Sequence, residues 1–378
     1  AGRTDGMESN QPHAAAIRRQ WPSVAGRVDA CTVTRSVELM SRTGALLRYS
    51  ATRLGLAPLM LWLIATLVFL LLRVAPGDPV DAVLGSRAPA VAKAAMRARL
   101  GLDKTLPDQY LDYLRGLLHG DLGQGLINQE PVRDIISRTL PASLELSVLA
   151  LALAAVIGLS IGFSGIARPE GKLDLAGRLY GLGTYALPPF WVAMLAQLLF
   201  AVTLGWLPVG GRFPPGMIPP DGSGFLLADS VLSGNWAAFQ GALRHLVLPA
   251  CTLGLLLSGV FTNALRLNLN RSLRSDYVEA ARSRGLSETQ VILRHALPNA
   301  LLPVLTIAGI TVASLIGGAL LIEVTFSWPG IALRLQESIN QRDYPVVQGI
   351  VVVVAALVVL VSVAVDLLVA LLDPRVRY

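Results

Sequence analysis

The sequence predicts an all-α integral membrane protein that crosses the bilayer six times. Three observations carry that prediction. Of 378 residues, 53% are hydrophobic and only 15% charged, with a mean hydropathy of +0.57; a soluble domain carries about 25% charged residues. The apolar residues gather into six stretches of roughly the 20 residues that a spanning helix needs. Lys and Arg collect in alternate loops, the pattern of a chain inserted with a fixed orientation.

The stretches cover approximately 54–74, 144–167, 179–204, 246–265, 300–322 and 346–372. The last is the cleanest, because Ile350 to Val365 carries no charge and is mostly Val, Leu and Ala. The third is interrupted by Pro188-Pro189. Such a break is tolerated in a membrane only where neighbouring protein satisfies the freed backbone groups, so this stretch is expected to pack inside the bundle. Broken helices tend to line cavities, which makes Pro188, Pro189, Phe190 and Trp191 candidates for lining a pore. A simple packing kink is the alternative.

Orientation follows from the short loops. With the N-terminus inside, the cytoplasmic side holds fourteen basic residues, from Arg42 to Arg377, against Arg212, Arg244, Arg334 and Arg342 in the short outer loops. Both termini are therefore expected in the cytoplasm. The same asymmetry accounts for the net charge of +7 and the pI near 9.8 without nucleic acid as a partner.

The external loop 75–143 has eight basic and eight acidic residues. Within it, Thr105 reads as a helix cap, Leu111, Leu114, Leu117 and Leu118 recur at helical spacing, and Gly120 stops the run. An amphipathic helix is expected there, either packing over helix ends or meeting an external partner. The loop from Pro208 to Asn235 is rich in Gly and Pro, and little regular structure is expected. Residues 1–45 read as a disordered cytoplasmic tail without the apolar core of a signal peptide, and Met40 reads as a natural beginning. The domain division is thus tail 1–45 and membrane domain 46–378.

The most informative segment is the cytoplasmic loop 266–299. Asp276 is placed to cap a short helix with Glu279 three residues on, and Gly285 to end it in the left-handed conformation. Ser287 is placed to cap a second helix with Gln290 as its capping-box partner. Val291, Ile292, Leu293 and Leu297 are expected to form its apolar face before Pro298. The product is a rigid helical elbow projecting from the membrane.

Glu279-Ala280-Ala281, then Gly285, then an apolar stretch ending in Leu297-Pro298, resembles the EAA loop of ABC-importer permeases. Four further stretches resemble the dipeptide, oligopeptide and nickel branch of that family: Leu72 to Pro79, Leu117 to Gly123, Leu204 to Pro208, and Leu371 to Tyr378. The resemblance implies a transport subunit, with Glu279, Ala280, Ala281, Gly285, Leu297 and Pro298 forming the ATPase-coupling surface. It also implies that the chain lies in the cell membrane with two ATPase subunits, same or different, a second permease completing the pore, and an external substrate-binding protein. The substrate class it implies is peptides or related small solutes.

The chain itself offers no phosphate cradle. Its single Gly-Lys pair, Gly171-Lys172, is followed by Leu173 rather than Ser or Thr. No catalytic constellation and no cofactor are expected. His13, His119, His245 and His295 are dispersed, and the two cysteines, Cys31 and Cys251, make no metal set. Asp366 and Glu323 lie near span ends, where structural roles are favoured, and Asn263 and Gln197 read as interhelical hydrogen-bonding residues. A secondary transporter driven by an ion gradient is the alternative, although it leaves the elbow without a purpose.

Overall fold

The computed structural model describes residues 52, 55–74, 77–165 and 171–372. The expected tail lies outside these residues, as do parts of two of the resembling stretches, Ala75-Pro76 and the ending from Asp373. Among the described residues the regular structure is helical, with an isolated bridge between Gln124 and Pro131.

Five helices are long and apolar enough to span a membrane: Gly55–Val74 (α1), Val132–Ser164 (α5), Trp236–Leu273 (α9), Glu288–Leu315 and Tyr344–Val369. Counted as one span, a bent pair, Lys172–Ala186 (α6) and Pro189–Thr203, whose axes meet at 101°, makes the sixth. The first part of that second arm is α7, Pro189–Ala196, and its last turns are π-helical. The span Glu288–Leu315 is built from α11 (Glu288–Gln290), a π-helical turn and α12 (Leu297–Gly318), and Tyr344–Val369 lies within α15 (Tyr344–Leu372); the remaining helices are α2 (Pro79–Leu84), α3 (Ala90–Arg99), α4 (Leu106–Leu118), α8 (Leu226–Leu232), α10 (Asp276–Ser283), α13 (Leu320–Thr325) and α14 (Ile331–Asn340).

Two helices overrun the apolar stretches that announce them. The one expected from Leu144 begins at Val132, because Val132, Ile135 and Ile136 bury an apolar stripe against Ile331, Val346 and Ile350 outside the apolar stretch. At 33 and 38 residues, α5 and α9 are about 50 and 57 Å long, well beyond a hydrocarbon core of roughly 30 Å.

These two helices cross closely. A Cβ on Gly158 would lie 2.4 Å from the Ser258 carbonyl oxygen, and Thr262 Oγ1 donates to the Gly158 carbonyl at 3.1 Å. Small residues at such a crossing replace the hydrophobic driving force that lipid cannot supply between helices. Above the crossing, Ala142, Leu146, Ala193, Leu246, Leu315 and Trp328 share one buried cluster. Below it, Phe261, Leu265, Leu269, Val278, Val291 and Ala300 share another.

The loops 75–143 and 208–235 are more ordered than their composition predicts. As expected, α4 starts after Thr105, whose Oγ1 accepts from the Asp108 N–H at 3.4 Å, and Gly120 follows with φ +74°. It packs over the end of α1: Tyr110 and Tyr113 lie 5.3 and 5.6 Å from the Phe69 ring, and Arg73 Nε donates to Gln109 Oε1 at 2.9 Å. Between 208 and 235 the one helix is α8, yet the irregular remainder is pinned. Arg212 pairs with Glu145 at 2.6 Å, and Asp229 accepts from the Ser223 and Gly224 N–H groups at 3.0 and 2.9 Å.

Candidate functional site: the cytoplasmic elbow and the broken third span

The α9 helix runs without interruption to Leu273, and the elbow begins three residues later. Ser275, rather than Asp276, takes the N-cap position of α10, and Asp276 is the first helical residue. The reason is local. Ser275 is extended and its hydroxyl donates to the Ser272 carbonyl, so the expected side-chain cap is not made, and Asp276 and Glu279 stand in the first turn where the helix dipole favours acids.

Gly285 closes the first helix with φ +78°, in open space, as the spacing predicts. Ser287 then forms the expected capping box with Gln290. A π-helical turn, Val291–Ala296, leads into α12; it precedes Pro298, which has no N–H to give to that turn. Val291 is fully buried and Ile292 half-buried, but Leu293 is exposed, because two residues on from Val291 it stands on the opposite side of the helix.

The residues expected to couple divide between two sides of the elbow. Ala281 is buried with Val278 and Val291 against the end of α9, and Leu297 packs on the same cluster. Glu279, Ala280, Gly285 and Pro298 are exposed. His295 is half-buried, and its carbonyl accepts from Asn299 Nδ2 at 3.0 Å. A bidentate pair that sequence spacing did not announce spans the turn: Arg282 Nε and Nη2 donate to Glu288 at 2.7 and 3.1 Å. The bond to Glu288 lifts the Arg282 guanidinium above its ordinary range. Its one local signal is a pair of opposite charges flanking a turn glycine.

In the third span, Leu187 and Pro188 are both extended (ψ 126° and 128°), and together they produce the bend. Pro189 starts the second arm where its missing N–H costs nothing. Pro188, Pro189, Phe190 and Trp191 all lie exposed, the two aromatics at 47% each. The expectation that this span packs inside the bundle holds for one face only. That face meets α9 through Gly181 and Asn263, while Leu179, Leu182, Tyr185, Met194, Leu198 and Val202 form an open apolar face. Gln197 ties the second arm to the outer elements, donating to the Val209 and Thr325 carbonyls at 2.7 and 2.9 Å.

In the first turn of α6, Asp174 pairs with Arg266 of α9 and, at 2.7 Å, with Arg178. Asp174 and Arg266 are 6% and 7% exposed.

Residues 146–378 match the family model described as binding-protein-dependent transport system inner membrane component, and residues 46–147 match its N-terminal counterpart. The chain is 42% identical over 335 residues to the di/tripeptide transport system permease protein DppB of Pseudomonas aeruginosa, covering 88% of this chain and 99% of the relative. It is 36% identical to the dipeptide transport system permease protein DppB of Alkalihalophilus pseudofirmus, over 88% of this chain and 100% of the relative. The protein of that name in Escherichia coli is likewise 36% identical, over 88% and 99%.

Proposed function

This chain belongs to the family of inner membrane components of binding-protein-dependent transport systems, and from that premise we propose which cargo it carries and how it is driven. As a member it is a multi-pass inner membrane protein and the permease subunit of an ABC importer, a transport subunit rather than an enzyme. Its cargo is di- or tripeptides or closely related solutes, a reading supported by what its relatives are named for carrying. ATP is hydrolysed on two separate ATPase subunits, alike or different. A second permease completes the pore, an external binding protein delivers cargo, and both termini face the cytoplasm.

The elbow carries this reading. A surface that transmits force must be rigid and must present its contact residues outward. Here one side of the elbow is buried on α9 and the other offers Glu279, Ala280 and Gly285 around a turn braced by Arg282 and Glu288. Closure of the ATPases then pushes a lever continuous with α9, and the spans rock between inward-facing and outward-facing states. Pro188, Pro189, Phe190 and Trp191 line the half of the pore that this chain supplies, which is supported by their exposure at the 101° bend.

A cysteine placed at the exposed Ala280 tests the docking. In membranes that take up peptide it should cross-link to an ATPase subunit through a short bifunctional reagent. Transport-competent protein that never cross-links would overturn the assignment.

A further inference from the structure

We propose that Arg266, acting through Asp174, is a positioning residue that fastens α6 to α9, so that the elbow's motion reaches the third span as rigid-body movement absorbed at Leu187-Pro188. The proposal rests on the docking role of the elbow.

Charges are costly to bury unless paired, and a buried pair that is retained marks a constraint on geometry. Arg266 and Asp174 are both nearly inaccessible, and Asp174 is shared with Arg178 of its own helix. Arg266 Nη1 has no hydrogen-bond partner and lies against the α6 backbone: a Cβ on Gly177 would fall 2.4 Å from it. The guanidinium therefore occupies the space a side chain at 177 would need.

The contact continues along both helices. A Cβ on Gly181 would lie 2.3 Å from Asn263 Oδ1, and one on Gly259 would lie 1.7 Å from Thr184 Oγ1. Positions 266, 263 and 259 of α9 thus meet 177, 181 and 184 of α6, one helical face packed against another too closely to admit a Cβ at 177, 181 or 259. Beyond the bend the fastening changes. The second arm is held by Gln197 to the carbonyls of Val209 and Thr325, on the outer elements. The two arms are anchored to different parts of the molecule, and the extended pair Leu187-Pro188 is the joint between them.

Two measurements on the assembled importer in membrane vesicles test this. Arg266→Gln should leave ATPase co-purification and basal ATP hydrolysis in place while lowering peptide uptake about tenfold or more. Uptake that stays unchanged, or falls only in step with hydrolysis, overturns the proposal. The second uses Gly181→Cys with Asn263→Cys, after Cys31 and Cys251 have been replaced by Ser. The Cβ built at Gly181 is 2.8 Å from Asn263 Cγ, close to where the sulfur of the second cysteine would sit. Oxidation with copper phenanthroline should lock α6 to α9 and leave uptake intact. Loss of uptake on oxidation, restored by dithiothreitol, shows that the helices slide and overturns the proposal. If Arg266→Gln does not accumulate in the membrane, the cross-link decides alone. Failure of the docking role appears separately, as normal uptake by Gly285→Asp.

Discussion

Ser143 and Glu323, 180 residues apart in sequence, share a buried hydrogen bond in which the serine hydroxyl donates to one carboxylate oxygen. The other oxygen accepts from the Leu333 N–H at 2.9 Å, and Ser143 Oγ accepts from the Ile331 N–H at 2.8 Å. One carboxylate and one hydroxyl thereby satisfy the first turn of α14 and fix it to α5. Trp328 closes the same corner, donating from Nε1 to the Ala142 carbonyl at 2.9 Å.

Glu323→Ala should therefore destabilise the protein rather than block transport chemistry. It strands a buried N–H and a buried hydroxyl, a loss of about 3 kcal/mol, whereas Glu323→Gln keeps an acceptor and should lose less. Thermal unfolding midpoints in detergent measure the difference; equal midpoints for wild type and Glu323→Ala would remove this structural role.

Neighbouring alanines in the elbow should behave differently. Ala281 is buried and Ala280 exposed. Ala281→Asp puts a charge into the Val278–Val291 contact and should lower both stability and membrane yield. Ala280→Asp should leave yield unchanged, within the roughly 0.5 kcal/mol typical of surface changes, yet lower the amount of ATPase that co-purifies. Glu279→Ala should follow Ala280→Asp. Identical behaviour of the two aspartate variants would contradict the orientation of α10.

Gly285 has φ +78° with open space around it, so a substitution meets backbone strain and not a clash. Gly285→Ala should cost about 1 kcal/mol and retain much of the uptake, and Gly285→Asn less still, since Asn tolerates this conformation. Gly285→Asp adds a charge on the docking turn and should abolish uptake while the protein stays in the membrane. Uptake and membrane abundance, measured side by side, separate these effects.

The elbow was legible in the sequence because its signals are local: a glycine, a capping box and a proline at fixed spacing. Even there the cap fell on Ser275 instead of Asp276, a choice made by the Ser272 carbonyl. Six spans were legible from hydropathy, but the outer three turns of α5 were not, since Val132, Ile135 and Ile136 are buried by residues 331, 346 and 350, far along the chain. The same distance hides Asp174–Arg266 and Ser143–Glu323. The third span's bend was legible from Pro188-Pro189. Its open apolar face was not, because hydropathy cannot tell a buried flank from one left uncovered.

Asp229 gives the 208–235 loop a defined response to pH. Burial works to raise its carboxyl, but the Ser223 and Gly224 N–H groups and the Ser223 hydroxyl outweigh it and hold it below the usual carboxylate range. For a depressed acid the stabilisation is present above the unfolded value of about 3.9 and is lost as pH falls through the folded value. Protection of the Ser223 and Gly224 amides from hydrogen exchange should therefore persist from neutral pH to about 4 and fall only below it. Loss of protection near pH 6 would contradict the clamp.

The central claim is that this permease is driven through its elbow by separate ATPases. The most direct test is to purify the tagged protein from its own membranes in mild detergent and identify its companions. ATP hydrolysis is then measured with and without dipeptide and binding protein, for wild type and Gly285→Asp. The account predicts ATPase subunits and a second permease with wild type, hydrolysis stimulated by the loaded binding protein, and loss of both companionship and stimulation in the variant. A lone chain that still moves peptide, without ATPase and in response to an ion gradient, would contradict it.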